Sequence, residues 1–116
     1  PKSVLQSNWY YANDFDPKTS KAAQAYLALD KAGFDQVPCG SNWLSPKQLK
    51  AGLKTNESIR GLIRFCRENI ASDRLCGFMM APWAYEPDQF VSKNLEGLRL
   101  FGEGLALHGP DEQCGA

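Results

Sequence analysis

The chain has 116 residues, a formal net charge of zero and a pI near 7.0, with 43% hydrophobic and 22% charged residues. That is the size and balance of one globular domain or part of one. Its evenly scattered Lys and Arg remove the electrostatic argument for nucleic acid or an anionic membrane surface as partner. The longest uncharged apolar stretch, Cys76 to Tyr85, is too short to span a bilayer.

In chain order, the pattern predicts a first strand over Ser3 to Trp9. A polar turn follows from Tyr10 to Lys18, rich in Asn13, Asp14, Asp16 and Pro17. Thr19 or Ser20 can cap a helix whose inner face carries Ala22, Ala23, Tyr26, Leu27 and Leu29, with Gly33 as its stop. A second strand is predicted from Phe34 to about Gly40. Ser45-Pro46 opens a short helix ending near Gly52, because proline suits a first helical turn. A longer helix starts near Asn56, and Ile59, Leu62, Ile63, Cys66 and Ile70 recur on one face at helical spacing.

The third strand, Leu75 to Met80, is apolar without alternation, as expected of a strand covered on both faces. A final helix from about Asp88 to Leu107 is expected to turn Val91, Leu95, Leu98 and Leu105 inward. Gly97, Gly102 and Gly104 weaken it locally, and close backbone approach to the sheet would compensate. After His108 the tail is expected to fray. The order β-α-β-α-α-β-α, with crossovers long enough for parallel neighbours, is α/β.

Cys39, Cys66, Cys76 and Cys114 form no CxxC pair and no metal-ligand spacing, so free thiols are expected rather than a disulfide framework. There is no HExxH, GxSxG, P-loop or GxGxxG, which leaves metal, acyl-transfer and nucleotide readings without support. No cofactor is implied, and the compartment stays open.

The most informative feature is a threefold recurrence. Trp9, Trp43 and Trp83 each close a short apolar run, at spacings of 34 and 40 residues, and the first two end the matching runs Ser7-Asn8-Trp9 and Ser41-Asn42-Trp43. Each is followed by a loop and a helical stretch, so the unit strand, Trp, loop, helix repeats. In parallel α/β folds ligands bind at the C-terminal ends of strands. Flat amphipathic rings placed there suit a ligand with apolar faces and polar edges.

Asn8-Trp9-Tyr10-Tyr11, Gly40-Ser41-Asn42-Trp43 and Gly77-Phe78-Met79-Met80-Ala81-Pro82-Trp83 together resemble the last three β/α units of a (β/α)8-barrel glycoside hydrolase of the β-hexosaminidase-like group. The resemblance implies a partial TIM-type barrel of parallel strands, with residues 1–116 as a single partial domain. In that group the final strand delivers a Trp to the sugar pocket, a role that would fall to Trp83. A tyrosine with an acidic partner orients the substrate's acetamido group, a role open to Tyr11 or Tyr85. The catalytic carboxylates of such enzymes form an adjacent acidic pair on a middle strand. Here the only Asp-Glu neighbours, Asp111 and Glu112, lie in the tail, and a whole barrel needs about 250 residues. The chain is therefore expected to be a C-terminal piece that lacks the catalytic pair.

The candidate substrate-binding residues are Trp9, Tyr11, Asn42, Trp43, Trp83, Tyr85 and Glu86, with no metal ligand. Each has a plainer alternative. The tryptophans could plug the end of the strands. Asn8, Ser41 and Asn42 could serve turns and caps, and Glu86 could be an ordinary surface carboxylate. The expected partners are a carbohydrate and either the remainder of a barrel or further copies of the chain, because strands cut from a barrel leave unpaired edges. The competing function is a non-catalytic carbohydrate-binding or assembly domain.

Overall fold

The computed structural model describes residues 3–83 and 87–107. Tyr85, Glu86, His108, Asp111, Glu112 and Cys114 lie outside the described residues. Helices and short parallel strands alternate, so the chain is α/β: β1 (Leu5–Gln6), α1 (Lys21–Lys31), β2 (Asp35–Gln36), β3 (Cys39–Gly40), α2 (Pro46–Lys50), α3 (Thr55–Asn69), β4 (Met79–Met80) and α4 (Phe90–Leu107).

The strands are much shorter than expected. They form two two-stranded parallel sheets, β1 with β2 and β3 with β4, extended by single parallel bridges from Trp9 to Cys39 and from Gln36 to Leu75. The segment from Asp35 to Gly40 thus runs between the other two. It breaks at Val37-Pro38, and the break has a chemical cause. Gln36 donates its N–H to Arg74, whereas Val37 and Cys39 donate to Gln6 and Asn8, so alternate residues serve opposite neighbours. Pro38 falls on the β4 side and has no N–H to give. The facing strand bulges there. The run from Gln36 to Cys39 is one residue shorter than the run from Leu75 to Met79 that it bridges. Gly77 takes up the extra residue with φ 146°, a conformation that costs a residue without Cβ little.

All three long helices lie on one face of these strands. Ser20 caps α1 by accepting from the Ala23 N–H. Ala23 and Tyr26 of α1 pack against Leu62, Phe65, Cys66 and Ile70 of α3. The buried stripe on α3 is as its spacing predicts, although the helix begins at Thr55 and Lys54 provides no side-chain cap. A second cluster joins Ile59 and Ile63 of α3 to Leu100 and Phe101 of α4, with Leu105 packed against it. Gln36 reaches from the central strand into the same layer, its amide donating to the Tyr26 carbonyl at 3.1 Å.

Helix α4 corrects one expectation. Leu105 is turned in, but Val91, Leu95 and Leu98 are exposed, and the buried side is Gly97, Leu100, Phe101 and Gly104. The glycines set this face because they let neighbours approach. A Cβ on Gly97 would lie 2.9 Å from Asn42 Oδ1, and one on Gly104 would lie 2.8 Å from Ile63 Cδ1. Gly102, by contrast, faces open space.

Among the described residues, the other face of the strands is largely open. Leu5, Trp9 and Met79 are 58%, 69% and 52% exposed there, and the Ser7 hydroxyl donates to the Met79 sulfur at 3.4 Å. Cys76, expected inside a buried strand, is exposed. Among the described residues no helix is long and apolar enough to cross a membrane.

Candidate functional site

Pleating decides which side chains reach the open face. Side chains alternate along a strand, so Leu5, Ser7 and Trp9 project together. Trp9 stands opposite Cys39, and Cys39 stands opposite Met79. The ladder continues past Trp9, where the Tyr10 N–H donates to the Cys39 carbonyl, and past Met80, where the Ala81 N–H donates to the Gly40 carbonyl. The residues just after each strand are therefore held to the central segment before the loops diverge.

There Trp9, Tyr11 and Trp83 meet. The Trp9 and Tyr11 rings lie 5.8 Å apart, tilted by 34°. The Trp83 indole Nε1–H donates to the Tyr11 hydroxyl at 2.8 Å. Trp9 and Trp83 remain 69% and 50% exposed, so their faces are available to a ligand. Cys39 lies beneath this group, 8% exposed, its thiol beside the Tyr11 hydroxyl. Burial pushes both acids up: for Tyr11, loss of water outweighs the Trp83 hydrogen bond that pulls the other way, and for Cys39 loss of water is again the largest cause. Both stay protonated and neutral at ordinary pH. The arrangement offers exposed π faces and an uncharged hydroxyl that accepts from Trp83 and lies against the neutral Cys39 thiol. Among the described residues of this group there is no carboxylate or imidazole, and its two acids are neutral.

Trp43 belongs to the same end of the strands but touches none of these rings. It is 38% exposed and is fixed through its backbone, its N–H donating to Ser41 Oγ at 3.1 Å. Ser41 is fully buried, and its hydroxyl donates to the Ala81 carbonyl at 2.7 Å. Asn42 turns toward α4, where its amide donates to the Lys93 carbonyl at 2.6 Å. Its donor is thus used in tying the loop to the helix. Asn8 also serves the fold, its carbonyl accepting from the Tyr26 hydroxyl at 2.8 Å.

Of the residues singled out from sequence, then, Trp9, Tyr11 and Trp83 converge, Trp43 stands apart and Asn42 anchors a loop. Tyr85 and Glu86 lie outside the described residues. Cys39 was not among them. The signal for it was available, since a residue facing Trp9 across a parallel pair must share its face.

A separate cleft of about 500 Å3 opens on the far side of the same loop, between Asn13 and Phe15 of the loop, Arg60 and Arg64 of α3, and Leu107 of α4. Glu57 also lines it. Among the described residues no group of three His, Cys, Asp or Glu could hold a metal ion.

Comparison of the chain with protein-family models, with curated proteins and with solved structures gave no match. What defines its class is the fold and the site: an α/β chain of short parallel strands, helices on one face, and an exposed aromatic cluster at the strands' C-terminal ends.

Proposed function

We propose that this chain contributes the aromatic, sugar-contacting wall of a (β/α)8-barrel glycoside hydrolase, acting on a terminal sugar such as an N-acetylhexosamine. The observation that carries this is the convergence of Trp9, Tyr11 and Trp83 at the C-terminal ends of neighbouring parallel segments. Sugar rings have apolar C–H faces and hydroxyl edges. Exposed indoles match the faces, and the neutral Tyr11 ring beside them extends the same amphipathic surface. Two further features favour a barrel. Among the described residues the strands carry helices on one face, and the α4 residues Val91, Leu95 and Leu98 form an exposed apolar stripe where a further helix would sit. In this reading the acid and base carboxylates come from other β/α units, and the tryptophans hold the ring while it distorts toward the transition state.

A second reading, a non-catalytic carbohydrate-binding or assembly domain, draws on the same exposed face. Leu5, Trp9 and Met79 leave apolar surface uncovered, which copies of the chain would bury.

Titrating tryptophan fluorescence with N-acetylglucosamine, galactose and glucose tests the sugar contact. A saturable change that disappears in Trp83→Ala and Trp9→Ala is the expected result. A flat response to all three sugars would leave the rings as packing or assembly residues and end the sugar reading.

A further inference from the structure

We infer that Ser41 is a positioning residue for the aromatic wall, setting Trp43 and Trp83 relative to one another through its single hydroxyl. The inference rests on the sugar-binding reading for its purpose, though not for its geometry.

The geometry is a junction of three hydrogen bonds on two atoms. Ser41 Oγ donates to the Ala81 carbonyl at 2.7 Å and accepts from the Trp43 N–H at 3.1 Å. The same Ala81 carbonyl accepts from the Trp83 N–H at 3.1 Å. One path therefore runs from the backbone of Trp43, through a side-chain oxygen and a carbonyl, to the backbone of Trp83. It links the loop after β3 to the loop after β4. A serine whose only task was a turn would bond within its own loop. Ser41 spans 40 residues of sequence and is fully buried, so no water competes for its proton.

Its surroundings leave it little freedom. Gly40 lies against Leu62 and Phe101, close enough that a Cβ would sit 2.9 Å from Leu62 Cδ2. On its other side Asn42 is tied to Lys93 and pressed against Gly97. With both neighbours fixed to the helix layer, the hydroxyl is a rigid reference point on the central strand. Trp83 is then held twice, by its backbone to Ala81 and by its indole to Tyr11. A stacking ring helps a sugar only if its plane is set before the sugar arrives, since ordering it afterwards costs affinity.

Ser20 provides a matched control. It too is buried, and its hydroxyl accepts from the Ala23 N–H at 3.2 Å, capping α1 away from the tryptophans. Ser41→Ala and Ser20→Ala should each lower stability to a similar degree. Only Ser41→Ala should alter tryptophan emission without ligand, and only it should weaken N-acetylglucosamine binding, by about fivefold, the equivalent of one ordinary hydrogen bond. In the unmodified chain, the Trp43 amide should exchange with solvent more slowly than the Asn42 amide, a readout that does not depend on any variant folding.

Unchanged emission in Ser41→Ala, equal effects of the two variants on binding, or equal exchange at Trp43 and Asn42 would each overturn the positioning role. Altered emission in Ser41→Ala, combined with an unmodified chain that ignores the sugar, would uphold the junction and remove the sugar reading instead.

Discussion

The indole N–H of Trp83 donates to the hydroxyl of Tyr11 at 2.8 Å, so a residue that follows the third strand is latched to one that follows the first, across the central segment. Indole has one donor and no acceptor, so this bond uses all of Trp83's polar capacity. Tyr11 spends an oxygen lone pair and keeps its proton. Any ligand on this surface therefore meets Trp83 as a face, while the Tyr11 hydroxyl is shared between Trp83 and the Cys39 thiol.

Tyr11→Phe removes the acceptor and leaves the ring. Because Trp83 is half exposed, water replaces the lost partner, and the stability cost should stay below about 1 kcal/mol. The Trp83 side chain should nevertheless lose its fixed orientation. Near-ultraviolet circular dichroism should weaken while the far-ultraviolet spectrum is retained. An unchanged near-ultraviolet spectrum would mean that the latch does not order the indole.

Gly61 and Gly104 both lie in helices and both meet a neighbour closely, yet alanine should act differently at the two. A Cβ on Gly61 would lie 2.5 Å from the Phe15 ring. That ring packs on Tyr10, edge-on at 5.3 Å, and on Phe65 at 5.8 Å, so moving it aside into the neighbouring cleft would give up both contacts. At Gly104 the nearest atom is the terminal methyl of Ile63, which can rotate. Gly61→Ala should cost about 1–3 kcal/mol through overpacking. Gly104→Ala should be close to neutral, since alanine recovers about 1 kcal/mol of helix propensity. Urea midpoints of the two variants measured side by side decide this, and equal losses would contradict it.

Periodicity made most of the scaffold legible. Ile59, Leu62, Ile63, Cys66 and Ile70 are buried as their spacing implies, and Ser20 and Ser45 cap the helices that follow them. What it hid has a common cause: the deciding groups carry no hydrophobic side chain. Gly97 and Gly104 define the inner side of α4, and a glycine adds nothing to an apolar pattern. Pro38 interrupts the middle strand through a missing N–H opposite Gly77. In the site, Trp9 and Trp83 were visible as repeated strand endings. The bond from Trp83 to Tyr11 was not, because two residues 72 apart meet only through the strand order.

Alkali should destabilise the chain in a defined window. Burial pushes the Cys66 thiol from 9.0 up to about 12, and it raises Tyr26 and Cys39 as well. These acids are neutral in the fold and ionise more readily once unfolded. Stability is therefore complete below pH 9 and falls from there to about pH 12, as the unfolded chain releases protons that the folded chain retains. Each such group steepens the fall by about 1.4 kcal/mol per pH unit. Cys66→Ala should lower stability at neutral pH through the cavity it leaves, yet flatten the loss between pH 9 and 12. An undiminished slope in that variant would show that the thiol is not the source.

At the opposite end of the strands, Asp30 accepts from Arg74 and from the Ala71 N–H, both through Oδ1. The Arg74 hydrogen bond is the largest influence holding its carboxyl below the usual 3.8, with the Ala71 bond assisting against a smaller effect of burial. The sign is opposite to that of Cys66. The contribution is present above 3.8 and is lost as pH falls through the lower folded value. Asp30→Asn keeps an acceptor but loses the charge, so it should soften the acid transition while costing about 1 kcal/mol or less at neutral pH for so accessible a pair. Circular dichroism followed through an acid titration of both proteins reads the difference.

The open face bears on assembly. Leu5 and Met79 are exposed on the two outer strands, and Trp9 extends the same surface. Apolar surface of this kind on a strand edge invites pairing with a further chain. If copies of the chain cover it, sedimentation velocity should show mass increasing with concentration. Leu5→Lys together with Met79→Lys should return the chain to a monomer, since a buried charge without a partner costs far more than the apolar contact returns. Both positions are already exposed, so the paired substitution should leave the fold's own stability within about 0.5 kcal/mol. A single concentration-independent monomer in the unmodified chain would exclude self-assembly through this face, leaving the β/α units of a barrel as the cover that the sugar-binding reading requires.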